Sequence, residues 1–143
     1  MNAASMVEKK IKGRKRHIVT DTMGNLLAVK VHAANIHDTV AGGEVFGEAV
    51  LWYPSIQGVC GDAGYRKTFE KYVISMGLKV EIVERIMAKW EILPKRWVVE
   101  RTLSWLNHSR RLSKDYEIST TSAEAFVYIS HSATLLNKLF RVS

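Results

Sequence analysis

Two carboxylates in this 143-residue chain stand where they could hold a divalent cation. Asp62 follows the short apolar run 56–61 and opens the tight turn Gly61-Asp62-Ala63-Gly64. In open α/β sheets ligands gather at the carboxyl ends of strands, so an exposed carboxylate there is well placed for a metal. The same residue could instead cap the helix that follows, and position alone does not separate the two roles. Glu100 sits in a segment of helical periodicity. At 100° per residue Arg96, Ser104, Asn107 and Arg111 fall within about 40° of it, with Val98, Thr102, Trp105, Ser109 and Leu112 on the opposite side. A carboxylate among arginines is either a metal ligand beside phosphate-binding cations or half of an Arg96–Glu100 ion pair, which contributes only about 0.3–0.5 kcal/mol.

Cations suited to phosphate cluster in two places. Lys9, Lys10, Lys12, Arg14, Lys15 and Arg16 form a dense basic run, and Arg96, Arg101, Arg110 and Arg111 interleave with Trp97 and Trp105. Basic side chains beside stacking aromatics suit a nucleic-acid surface. The first run could also be a solubilising arm, and both tryptophans could belong to a core. The overall balance, 21 Lys and Arg against 14 Asp and Glu for a net charge of +7, favours a polyanionic partner. His32, His37 and Asp38 do not require a metal, since a hairpin strand and a helix start explain them. Asp21 lies at a turn, where aspartate bonds locally, and is read as structural.

The elements that must position these groups are legible from periodicity. Residues 18–34 read as two β-prone runs around a Gly24-Asn25 turn, a hairpin. Asp38 is a plausible N-cap for a weak helix to about Leu51, weakened by Gly42, Gly43 and Gly47 and ended by Tyr53-Pro54. The run 56–61 predicts a strand, 65–76 a helix stopped by Gly77, and 78–83 a further alternating strand. Pro94 suits a first helical turn, 97–112 is amphipathic, and a last helix spans about 122–139. Strands first and helices last imply an α/β layer fold with a mixed sheet.

The length allows one sizeable core, and no linker, repeat or low-complexity tract divides it. The single cysteine, Cys60, lies in an apolar run and is expected to be buried as a small hydrophobe. With neither a transmembrane-length apolar stretch nor a signal-peptide pattern, the expected place is the cytoplasm, with no membrane partner.

Three segments, taken together, resemble insertion-sequence transposases of the insertion sequence five family. They are Lys12-Gly13-Arg14-Lys15-Arg16-His17-Ile18, the Gly61-Asp62-Ala63-Gly64-Tyr65 turn, and the specific stretch Arg96-Trp97-Val98-Val99-Glu100-Arg101-Thr102-Leu103-Ser104-Trp105-Leu106-Asn107. The resemblance covers about Lys9 to Leu139. It implies a ribonuclease-H-like mixed sheet with flanking helices and a helical C-terminal part. Asp62 would be the second and Glu100 the third acidic residue of a DDE set, with Arg96 matching the family's arginine four residues before the glutamate. It further implies Mg²⁺, with Mn²⁺ as an alternative, and metal-dependent cleavage and strand transfer on transposon-end and target DNA at the nucleoid. A second transposase chain is a partner it allows. Many relatives carry a tyrosine and a lysine where this chain has Leu93 and Asn107. The family's first aspartate belongs to a strand upstream of the basic segment, and Met1 to Glu8 contains no Asp. The expectation is therefore a basic arm over 1–17 and a partial catalytic core over 18–143. Its first central strand would be missing, as in a truncated or frame-split reading frame. A non-catalytic DNA-binding fragment that regulates transposition is the alternative.

Overall fold

A computed structural model describes residues 3–11, 13–83, 94–109, 112 and 117–141; the side chains of 3, 7, 9, 11, 83 and 94–100 lie outside the description. Five strands form one mixed sheet: β1 (Ala3–Ile11), β2 (Arg14–Thr20), β3 (Leu26–Ala33), β4 (Gly58–Asp62) and β5 (Lys79–Val83), in the spatial order β3-β2-β1-β4-β5. The first three meander antiparallel, whereas β4 joins β1 and β5 joins β4 in parallel. Helices α1 (Asp38–Trp52), α2 (Thr68–Ser75), α3 (Pro94–Asn107) and α4 (Thr120–Phe140) flank this sheet.

The central strand expected to be missing is present. Ala3–Ile11 pairs with β2 from Ser5↔Thr20 to Ile11↔Arg14 and with β4 at Ala3↔Gly58, Ala4↔Val59 and Ser5↔Cys60. Such a strand needs few apolar residues, because neighbours on both edges satisfy its backbone, while Ala4 and Met6 point into the core at period two. The basic run likewise spans the β1–β2 hairpin instead of preceding the first strand as an arm.

Alternation along the strands divides the apolar residues between two cores. One face carries Ala4, Met6, Val19, Ala28 and Val59 under Phe46 of α1 and Phe69 of α2. The other carries Ile18, Val29 and Val31 under Leu106, Ala123 and Val127 of α3 and α4. Cys60 is buried, as its apolar run predicts.

Local chemistry sets the connections. Asp21 Oδ1 accepts from the Met23 and Asn25 amides at 2.8 and 2.9 Å, so this aspartate shapes the hairpin turn. His37, not Asp38, is the N-cap residue of α1, and Asp38 is its first helical residue. Gly77, at φ +74°, donates its amide to the Ile74 carbonyl and ends α2. Pro94 opens α3 as expected, but the helix stops at Asn107, short of the predicted 112. Strand β3 is an edge, and α4 seals it. Glu124, Tyr128 and His131, one helical stripe, accept from the amides of Val31, Leu26 and Val29 on that edge: Glu124 from Val31 at 2.8 Å, Tyr128 from Val29 at 3.2 Å, His131 from Leu26 at 3.1 Å.

Candidate functional site

Asp62 is the last residue of β4, and its side chain is exposed at the carboxyl end of the sheet. The turn Ala63–Tyr65 follows as one 3-10 turn, and Asp62 Oδ1 accepts the Gly64 amide at 2.9 Å. Asp62 thus caps this short turn through one of its two carboxylate oxygens, whereas the helix expected to follow it, α2, has Lys67 as its N-cap residue. A methyl group at Gly64 would lie 3.1 Å from Asp62 Oδ1 and 3.6 Å from Asp38 Oδ2, so two carboxylates flank one glycine.

Asp38 belongs to a charged cluster that sequence reading passed over as a helix start. Lys15 Nζ lies 2.5 Å from Asp38 Oδ1. Burial, then the hydrogen bond and charge of Asp38, push the Glu8 carboxyl up to about 7, against the pull of Lys15 and Lys10. Asp38 itself moves down: burial opposes this, but hydrogen bonds from Glu8 and Lys15 outweigh it. Hydrogen bonding to Asp38 raises Lys15 despite its own desolvation. Glu8 shares its face with Ala4 and Met6, the face covered by α1, and the odd positions of β1 that alternate with it include no carboxylate.

Beneath the Asp62 turn lies a buried polar chain. Tyr65 Oη is 2.6 Å from His17 Nδ1, His17 Nε2 is 2.6 Å from His32 Nε2, and His32 Nδ1 is 2.7 Å from the Ala33 carbonyl. The imidazoles stack with centroids 4.7 Å apart. Burial, reinforced by His32 and Lys15 against Asp38, lowers His17 to about 4, and burial raises the Tyr65 hydroxyl. Sequence reading explained His32 as a strand residue and missed this pairing. Its signal was the hairpin register: His17 pairs with Lys30 and Lys15 with His32, which makes the histidines diagonal neighbours on one face.

Glu100 and Arg96 lie in α3, with side chains outside the described residues, so the distance between the Asp62 and Glu100 carboxylates is not part of the description. The helix is tied to the β2–β3 turn just beyond Glu100: Arg101 Nη2 donates to the Met23 carbonyl at 2.7 Å and buried Thr102 Oγ1 to the Gly24 carbonyl at 2.6 Å. Of the basic residues singled out, Lys10 is exposed and Arg16 is buried. Arg14 donates to the carbonyls of Glu117 and Ile118 at 2.8 and 2.6 Å, and Lys15 pairs with Asp38. Arg101 also lies over the half-buried Trp105 ring, 4.8 Å from its centroid. Lys12, Arg110 and Arg111, and the side chain of Lys9, lie outside the described residues. Among those described, no three His, Cys, Asp or Glu side chains are grouped to hold a metal ion. Asp62 alone does not compose a metal centre.

The architecture is a ribonuclease-H-like core. It resembles the catalytic core domain of BIV integrase with a TM-score of 0.63 at 12% identity, over 92% of this chain and 81% of that one. Residues 4–136 match the family described as the transposase DDE domain, and the chain belongs to that family. A Burkholderia cepacia protein whose name assigns it as a transposase for insertion sequence element IS402 is 32% identical over 142 residues. The match takes in 90% of this chain, which spans about 65% of that relative's length. No helix among the described residues is long and apolar enough to cross a membrane.

Proposed function

We propose that this chain is the DNA-processing core of an insertion-sequence transposase of the insertion sequence five family, acting at the nucleoid in the cytoplasm. The observation that carries the reading is the exposed Asp62 carboxylate at the carboxyl end of β4, in a chain matched to the transposase DDE domain over 4–136. In this reading Asp62 and Glu100 are two acidic ligands of a divalent cation, Mg²⁺ or Mn²⁺. The cation would supply Lewis-acid stabilisation of phosphate oxygens at a DNA phosphodiester. The chain's own residues bind and orient the DNA. Lys10 on the hairpin, with Lys9 and Lys12 beside it in sequence, is the cation to meet phosphate first; Arg110 and Arg111 follow α3. Arg14, Lys15, Arg16 and Arg101 act through the fold, since each is buried or held by an internal partner. A second copy of a transposase chain is a further partner.

One observation favours a second reading, DNA binding without cleavage by this chain. The central strand β1 carries no aspartate, and its one carboxylate, Glu8, shares the α1-covered face with Ala4 and Met6. Two assays separate the readings: duplex binding across a salt series, and Mg²⁺-dependent cleavage of DNA bearing the element's ends. We expect binding that weakens with salt; cleavage that needs Asp62 supports the first reading, and binding without cleavage the second. Lys10→Ala should reduce the salt slope by about 0.9, one neutralised phosphate, and Arg16→Ala should act on stability instead. Robust cleavage abolished by Asp62→Ala would overturn the second reading. Absence of salt-dependent DNA binding would overturn both.

A further inference from the structure

The hydrogen-bond chain under the Asp62 turn has only one direction in which all its atoms are satisfied. A backbone carbonyl only accepts, so His32 must carry its proton on Nδ1 to donate to Ala33. Neutral His32 then offers a bare Nε2, and the single proton on the 2.6 Å contact must come from His17 Nε2. Neutral His17 is left with a bare Nδ1, which accepts the Tyr65 hydroxyl. Three donors meet three acceptors with neither ring charged. His17 and Tyr65 are fully buried and His32 nearly so, so either ring could gain charge only by breaking this order.

Tyr65 ends the turn that Asp62 begins, and its ring has no room to slide. A methyl on Gly42 would come within 2.7 Å of the ring, and one on Gly61 within 3.3 Å. Fixing the hydroxyl and clamping the ring fixes the turn, including the Gly64 amide that Asp62 Oδ1 accepts.

We infer that Tyr65, His17 and His32 are positioning residues: a one-way relay from the β4 turn through β2 to β3 that seats the Asp62 carboxylate and lets go when His17 takes up a proton. The functional weight of that seat rests on the proposed role of Asp62; the relay itself does not. Charged groups face it from every side. Glu8 lies opposite His17 across the β1–β2 ladder, Lys15 and Asp38 both act on its charge, and Asp62 and Asp38 act on Tyr65.

The test uses the full chain labelled with ¹⁵N-histidine. At pH 7 NMR should show His17 as the Nε2–H tautomer and His32 as the Nδ1–H tautomer, both neutral. The opposite tautomer at either ring, or a charged ring, overturns the relay. On acidification, amide-exchange protection at Gly64 should fall as His17 titrates and before protection inside α4 does; loss of both together overturns the positioning role. Tyr65→Phe keeps the ring and removes the donor. It should scramble the His17 tautomer and speed Gly64 exchange about tenfold or more, leaving α4 unchanged. Scrambled tautomers with unchanged Gly64 exchange would also overturn the positioning role. Neither readout involves DNA or metal, so failure of the transposase reading, seen as lost DNA binding, is observed separately.

Discussion

The two faces of the sheet hold their turns and helices by different means. On the α1–α2 face the Asp62 turn rests on a side-chain relay of two neutral imidazoles and a phenol. On the α3–α4 face the helix carrying Glu100 is tied to backbone carbonyls of the β2–β3 turn, Arg101 to Met23 and Thr102 to Gly24, while Arg14 of β2 holds the Glu117 and Ile118 carbonyls ahead of α4. A peptide carbonyl has no protonation state to change in this range, whereas an imidazole does. The Asp62 turn therefore has a pH-sensitive seat, whereas α3 meets the β2–β3 turn through contacts that acid leaves alone. His131, which accepts the Leu26 amide, is the titrating exception on the second face. Burial lowers it, with Lys138 in the same direction and Asp21 opposing.

The largest expected effect comes from the core beneath the first seat. Phe46 is fully buried and packs edge to face on Phe69, itself tilted against Tyr65. Phe46→Ala should cost about 3–5 kcal/mol in denaturant unfolding. It should also loosen the Asp62 turn more than the β3–α4 contacts. Equal loosening on both faces, read by amide exchange, would show that the two cores respond as one.

Next comes pH. His17 is depressed from 6.5 to about 4, so it disfavours its proton in the folded state; its stabilisation is present above 6.5 and is lost as pH falls toward 4. By linkage that amounts to about 2 kcal/mol between pH 7 and 5. Glu8 runs the other way. Raised from 4.5 to about 7, it stabilises most below 4.5, and the contribution is lost as pH rises to 7, muted by solvent because the group is only part-buried. Unfolding midpoints at pH 7 and 5 should show His17→Gln losing less on acidification than the parent and Glu8→Gln losing more. The reverse order would overturn the opposite signs assigned to His17 and Glu8.

Much of this architecture could be read from periodicity, because apolar alternation and helical spacing are local properties. The hairpin, both strands after it, the Pro94 start and the last helix all fall within a few residues of their expected places. What escaped is non-local. Ala3–Ile11 reads as a charged tail, because its identity as a strand comes from β2 and β4 on its flanks. Arg14 and Lys15 read as part of a phosphate-binding run, yet each has a hydrogen-bond partner tens of residues away in sequence, and Arg16 is buried. Asp38 and Glu8 meet only once α1 packs across β1, so no spacing rule pairs them. Asp62 was legible because a strand followed by a glycine-rich turn marks a sheet's carboxyl end by itself.

Two glycines of α1 test the first seat with a smaller effect and opposite signs. Alanine in place of helical glycine gains up to about 1 kcal/mol in propensity. At Gly42 the added methyl meets the clamped Tyr65 ring at 2.7 Å, and overpacking of about 1–3 kcal/mol should outweigh that gain. At Gly47 it also meets an atom at 2.7 Å, but this is the hydroxyl of Tyr72, the far end of a side chain 40% exposed and free to swing. Gly42→Ala should therefore lower the unfolding midpoint and Gly47→Ala raise it. If both rise, Tyr65 is not clamped.

The smallest expected effect belongs to the second face, where α3 meets the end of α4. Lys138 Nζ lies 3.9 Å from the centroid of the Trp105 ring, which Arg101 also covers. A cation over an indole at an exposed site contributes about 0.5–1 kcal/mol. Lys138 has a second source of stabilisation, however, since it stands in the last turn of α4 near the negative end of the helix dipole, where a cation contributes about 0.3–1 kcal/mol. A loss on Lys138→Ala cannot by itself tell them apart. A double-mutant cycle with Trp105→Leu can, because the dipole acts with or without the ring. If the ring matters, Lys138→Ala should cost about 0.5–1 kcal/mol less in the Trp105→Leu background than in the parent. Equal losses in both backgrounds would assign Lys138 to the helix terminus. They would leave the α3–α4 contact resting on Leu106, Ala123 and Val127 beneath it.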